Sequence, residues 1–140
     1  LAAMAVAERG PGAVVARLAD DAREAWGIND RAQLAEAERV LRERIAHELM
    51  LAGVTIIDPA ATYIDVGVTV GRDSTIWPGT LLGGLTHVGA GCELGPHATI
   101  RDSAIGAGAQ VRYALVERAT VPPGAQIGPF VYVVGGQNAS

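Results

Sequence analysis

The chain has 140 residues, 49% of them apolar but only 4% aromatic, so a core must be built from Val, Ile, Leu and Ala within one domain or slightly more. A net charge of −4, with arginine as the only cationic side chain, excludes a basic nucleic-acid surface and an anionic-membrane patch. The single cysteine, Cys92, excludes an internal disulfide framework and a CxxC metal site, while 18 glycines and seven prolines favour tight turns over long helices.

The longest uninterrupted apolar run, Leu1 to Ala7, is far short of the ~20 residues that a membrane span needs. No basic segment precedes it, and Glu8 and Arg9 follow, so it does not read as a signal peptide; the expected location is cytoplasmic. The chain begins with Leu rather than Met and reads as cut from something longer. Gly12 to Leu18 has the pattern of a strand, with Pro11 before it and Asp20-Asp21 after it. Residues 30–51 carry the one strong helical signal. Leu34, Ala37, Leu41, Ile45 and Leu49 recur at three- and four-residue steps, with charged residues on the other faces. Asp30 and Gln33 stand in capping-box spacing, and Gly53 can stop the helix. Such a helix is about 30 Å long, and its narrow stripe suits a connector between two bodies.

From residue 64 the pattern changes. Ile64, Val70, Ile76, Leu82, Val88, Leu94 and Ile100 are aliphatic at six-residue steps. Ile105 comes five later and Val111 six later; Val116 and Val121 follow at five-residue steps, then Ile127 and Val133 at six. The position after the aliphatic is often glycine: Gly71, Gly83, Gly89, Gly95, Gly106 and Gly128. The fourth position after it is small or β-branched, as at Val68, Ser74, Thr80, Thr86, Cys92, Ala98, Ala109, Ala125 and Val131. A hexapeptide period signals a β-helix. Short strands cannot bury an apolar face alone, but coils stacked about 4.8 Å apart put every sixth side chain on an internal ladder. Three hexads close a coil of about 18 residues, so residues 64–133 supply roughly four coils.

This hexad form resembles the left-handed β-helix acyltransferases. The order of local motifs resembles one family more closely. Gly27-Ile-Asn-Asp-Arg31, Gln33-Leu-Ala-Glu36, Leu49-Met-Leu-Ala-Gly-Val54, Asp58-Pro59 and Tyr63-Ile-Asp65 come first. Ile76-Trp-Pro-Gly79, Arg101-Asp-Ser-Ala-Ile-Gly106 and Ile127-Gly-Pro-Phe130 follow. Together they resemble the middle of the bacterial bifunctional N-acetylglucosamine-1-phosphate uridyltransferase / glucosamine-1-phosphate N-acetyltransferase family, over about residues 12–132. The resemblance implies a mainly β fold. A left-handed parallel β-helix would be preceded by a long linker helix and the tail of an α/β nucleotidyltransferase domain. Residues 1–31 would be that tail, 32–52 the linker and 53–140 the first coils of the acetyltransferase domain.

The resemblance further implies Mg²⁺ as cofactor, UTP and acetyl-CoA as co-substrates, and a homotrimer formed through the β-helices. Both sets of catalytic residues would lie outside this chain, which by itself is expected to be inactive. Asn29 is the one position that matches a family functional residue. Its amide oxygen would help to hold Mg²⁺ and meet the UDP-N-acetylglucosamine, and an oxygen donor suits that hard cation. Read from the residues alone, an Asn before a helix is a cap, and only the resemblance turns Asn29 to the metal role; Asp30 is read as the cap. At Val133-Val-Gly-Gly-Gln-Asn the sequence departs from the family, where an Arg-Pro-Gly run usually follows Phe130. Two other readings stay open: a different hexapeptide-repeat nucleotidyltransferase or acyltransferase, and a non-catalytic trimerisation module.

Gamma-class carbonic anhydrases share the hexad fold and bind metal with histidines five apart. Here His87 and His97 are ten apart and occupy different hexad slots, so both read as surface or turn histidines, as His47 does on the helix. Cys92 falls in an inward small-residue slot. Arg101-Asp102 and Arg112-Tyr113 lie near the shortened coils, placed either to reach a neighbouring protomer or to remain solvated. Trp26 and Trp77 read as packing residues.

Overall fold

A computed structural model describes residues 27–135; the strand expected at residues 12–18, Trp26 and the tail after Gly135 lie outside the described residues. Helix α1 runs Arg31–Leu51. Asp30 caps it as expected, its Oδ1 accepting the Gln33 N–H at 2.8 Å. The Gln33 side chain also turns back, but to the Asn29 N–H at 2.5 Å rather than to that of Asp30. At the other end Gly53 takes φ 101, which stops the helix. Gly53 N–H donates to Met50 O at 3.1 Å and Val54 N–H to Leu49 O at 3.0 Å, the pair of bonds of a Schellman motif.

The buried residues of α1 are Ala37 and Ala46, whereas Leu34, Leu41, Ile45 and Leu49 are half-buried. The expected stripe thus includes one of the two buried residues, Ala37, and lacks the other, Ala46. The helix packs on the strands Thr55–Ile56 and Tyr63–Ile64 and the 3-10 turn Pro59–Ala61. A small side chain there lets the helix backbone come close, with Ile45 and Leu49 flanking it in the core. The Arg42 guanidinium lies 4.6 Å above the Tyr63 ring and adds a cation–π contact to the same junction.

Beyond the helix, short parallel strands stack into a solenoid with three sheets. Sheet one holds Thr55–Ile56, Thr75–Ile76, Glu93–Leu94, Gln110–Val111 and Gln126–Ile127. Sheet two holds Tyr63–Ile64, Leu81–Gly83, Thr99–Arg101, Ala114–Glu117 and Val131–Val134. Sheet three holds Thr69–Val70, His87–Val88, Ala104–Ile105 and Thr120–Val121. The hexad aliphatics align residue on residue, giving the ladders Ile56–Ile76–Leu94–Val111–Ile127, Ile64–Leu82–Ile100–Val116–Val133 and Val70–Val88–Ile105–Val121. Ile76, Leu82, Leu94, Ile100, Val111 and Val116 are wholly buried.

The stack has five levels, one more than the repeat count suggests, because it begins at Ile56. The Pro59–Ala61 turn lengthens the first coil, so Thr55 pairs with Thr75, 20 residues on, and hides the period. Later coils tighten: Thr75 pairs with Glu93, 18 on, and Gln110 with Gln126, 16 on. Each missing residue corresponds to one five-residue step.

The inward small-residue slot is filled by Ser74, Thr80, Thr86, Cys92, Ala98 and Ala109, all buried. The five-residue steps conceal three further members, Ser103, Ala114 and Ala119, which are also buried. The hydroxyls have partners: Thr86 Oγ1 donates to Gly83 O at 2.7 Å, and Ser103 Oγ donates to Arg101 O at 2.8 Å and accepts from Ala119 N–H at 3.1 Å. The Cys92 thiol is buried and lies 3.2 Å from Gly106 O. Two expectations fail. Val131 is 43% exposed rather than inward, since it sits on the last described coil with no further strand paired beyond it. Trp77 is 38% exposed, because the residue after an inward Ile76 faces outward in a pleated chain.

Candidate functional site

Asn29 is exposed at the start of α1 and borders a hollow of about 240 Å³ shared with Ile28, Asp30, Arg31 and Leu34. Its backbone is held by Gln33, while the Asp30 carboxylate is engaged by the helix N-terminus. As a donor, Asn29 offers one neutral, hard oxygen, which fits Mg²⁺ as a single ligand. Among the described residues no group of three or more His, Cys, Asp or Glu side chains is placed to hold a metal. The carboxylate and phosphate oxygens completing such a site would therefore come from elsewhere.

The solenoid presents its other chemistry at its corners. One corner stacks Gly79, His97, Tyr113 and Phe130, all at positive φ, on successive coils. The His97 and Tyr113 rings lie 5.6 Å apart, and those of Tyr113 and Phe130 5.8 Å, so three aromatic rings climb the edge. The ladder rests on Gly79, where a Cβ would come 2.4 Å from His97 Nδ1. A second corner carries carboxylates: Asp65 Oδ2 accepts the Gly84 N–H at 3.1 Å and Asp102 Oδ1 the Leu85 N–H at 2.9 Å. Asp102 is therefore tied to the preceding coil, while Arg101 beside it is exposed. Arg112 donates to Gln110 Oε1 at 2.7 Å.

The two repeat histidines are not brought together. His87 lies on the outer face of sheet three with Nδ1 2.7 Å from Thr69 Oγ1, and His97 stands at the aromatic corner. His47 is exposed on α1. Among the described residues, the shifted pKa values lie on the helix surface, away from Asn29. Arg39 bonds both Glu36 and Glu43, and the hydrogen bond and charge of Arg39 hold the Glu36 carboxyl below its ordinary range. A broader hollow on sheet three, lined by His87, Ala104, Gly106, Pro122 and Pro123, has no counterpart in the sequence reading. Its only sequence signal is the small residue Ala104 standing between His87 and Thr120 on the outer face.

No protein-family model matches the chain. It is 50% identical over 120 residues to the bifunctional protein GlmU of Streptomyces avermitilis, covering 86% of this chain and 25% of that protein. To the bifunctional protein GlmU of Streptomyces coelicolor it is 48% identical over 120 residues, with the same shares covered. Among solved structures, serine acetyltransferase 1 of Entamoeba histolytica, in complex with L-cysteine, superposes with a TM-score of 0.56 at 16% identity. That superposition covers 93% of this chain and 52% of the other, and it establishes the shared fold alone. The chain spans about a quarter of the length of the curated relatives it matches. An alignment of 120 residues within 140 must contain residues 21–120, and so includes Asn29, α1 and most of the solenoid. Helix, junction and hexad coils together thus match a fragment of the bifunctional protein GlmU.

Proposed function

We propose that this chain belongs to a bifunctional transferase of UDP-N-acetylglucosamine synthesis. One half transfers the acetyl group of acetyl-CoA to the amine of glucosamine 1-phosphate, releasing CoA. The other joins UTP to the resulting N-acetylglucosamine 1-phosphate, releasing pyrophosphate. The observation that carries this reading is the identity of 50% sustained across the helix-to-solenoid junction, since the repeat alone fixes only the fold. Within that enzyme Asn29 offers its amide oxygen to Mg²⁺ and to the UDP-sugar at the nucleotidyltransferase side. Residues 1–31 are the tail of that domain, 32–52 the linker and 53–140 the start of the acetyltransferase β-helix.

The bound Mg²⁺ would supply charge neutralisation on the nucleotide phosphates. The contribution of this chain is positional: Asp30 and Gln33 fix the loop at Asn29, and α1 rests on the first coil. The coils stack into a trimer in the cytoplasm, with acetyl-CoA bound further along the β-helix. No described helix is long and apolar enough to cross a membrane.

The test supplies the intact gene product with glucosamine 1-phosphate, acetyl-CoA, UTP and Mg²⁺, and follows free thiol and pyrophosphate separately. Both are expected from the intact protein and neither from the 140-residue chain alone. Pyrophosphate formation without any acetyl transfer would instead place the chain in a different hexapeptide-repeat nucleotidyltransferase.

A further inference from the structure

The amide of Gln33 makes an unusual cap. In a reciprocal capping box the third helical residue returns to the N–H of the capping residue itself. Here Gln33 Oε1 passes Asp30 and accepts the Asn29 N–H at 2.5 Å, while the Gln33 N–H donates to Asp30 Oδ1 at 2.8 Å. The two bonds bracket the Asn29–Asp30 peptide. Asp30 is extended at φ −145 and ψ 174, and its carbonyl accepts the Leu34 N–H at 3.0 Å as the first bond of the helix. Asn29 therefore lies one residue outside the helical ladder, and the bond that ties it to the helix comes from a side chain. Gln33 is exposed, so packing does not explain its placement.

We propose that Gln33 is a positioning residue for Asn29. It holds the Asn29 backbone so that the amide oxygen is presented to the metal and nucleotide sugar from a rigid helix end. The proposal rests on the reading of Asn29 as a Mg²⁺ ligand given above. A ligand on an exposed loop loses orientation when its supporting hydrogen bond is removed, and such losses weaken metal sites about 10–100-fold.

Variants of the intact gene product test this. The Mg²⁺ concentration for half-maximal uridylyl transfer should rise about tenfold or more in both Asn29→Ala and Gln33→Ala. Gln33→Glu keeps an acceptor oxygen and should retain the parent value. Ala46→Gly weakens α1 in its packed half; it should lower the melting temperature and leave the Mg²⁺ requirement where it was. Amide exchange at Asn29, which does not depend on activity, should quicken about tenfold in Gln33→Ala and stay slow in Gln33→Glu. If Asn29→Ala shifts the Mg²⁺ requirement and Gln33→Ala does not, the proposal is overturned. An unaltered Asn29 exchange rate in Gln33→Ala overturns the tether alone. Should Asn29→Ala itself leave the requirement unchanged, the metal reading falls and takes the proposal with it.

Discussion

Gly106 and Gly108 occupy one turn but answer different physical demands, and alanine substitution separates them. A Cβ on Gly106 would lie 2.4 Å from the Pro123 nitrogen and 2.7 Å from Pro123 Cα and Cδ, atoms of the next coil. Ordinary contact needs about 3.5 Å, so the coils would have to part locally by roughly 1 Å. The Gly106 N–H to Val121 O bond at 2.8 Å and the Gly124 N–H to Ala107 O bond at 2.9 Å hold them together at that point. Parting stretches both beyond hydrogen-bond range. Overpacking costs about 1–3 kcal/mol and each lost bond about 1 kcal/mol, so Gly106→Ala should cost about 3–5 kcal/mol. Gly108 has φ 73 and nothing within 4 Å of an added Cβ. Its substitution meets only the left-handed backbone penalty of about 1–2 kcal/mol. Urea unfolding followed by circular dichroism gives both values. A Gly106→Ala protein as stable as Gly108→Ala would refute the argument that coil spacing, rather than turn conformation, demands glycine at residue 106.

Three further outcomes follow from the core and the helix surface. Leu94 is wholly buried between Ile76 and Val111, so Leu94→Ala should cost about 3–5 kcal/mol in the same urea experiment. A loss under 1 kcal/mol would mean that the ladder is not the core. The Cys92 thiol is fully buried, so an aromatic disulfide reagent should leave it untouched in the native protein and label it on unfolding; prompt native labelling would contradict its inward placement. Glu36 is held below its ordinary pKa of 4.5 by Arg39. The support its charge gives the helix is therefore present above pH 4.5 and is lost as pH falls through the lower folded value. In Arg39→Ala the carboxylate titration seen by NMR should move up towards 4.5, and an unmoved titration would show that the ion pair is absent in solution.

The period from Ile64 onward was legible because every sixth side chain meets the same internal environment, and registers such as Leu82 on Ile100 follow from it directly. The coil begun at Ile56 was not legible, since the Pro59–Ala61 turn interrupts the spacing before it has repeated once. Ser103, Ala114 and Ala119 were missed for a related reason: a five-residue step moves the small slot by one, and counting at six overshoots it. Asn29 could be picked out only through a family resemblance, because an Asn before a helix carries no signal beyond capping. The Gln33 tether lies between these cases. Capping-box spacing announced a returning side chain, but which N–H it would reach depends on backbone angles at Asn29 and Asp30 that residue types do not encode.

The left-handed residues show how the coils shorten without losing their ladders. In six-residue steps the positive-φ residue mostly stands third after the aliphatic, as with Asp73, Gly91, His97, Gly108 and Phe130. In five-residue steps it stands second, as with Asp102, Tyr113 and Arg118. One residue is thus removed before the bend while the strand after it keeps its pairing, and Val116 still meets Ile100. The shortening is confined to two corners, since every step from sheet three to sheet one keeps six residues. The unshortened corner is lined from Gly91 onward by glycines with open space around them, whereas the other two carry His97, Tyr113 and Phe130 or Asp102 and Arg118. Side-chain chemistry on this solenoid therefore collects at the two corners where coil length varies. The ladders inside are free to be chosen for packing alone.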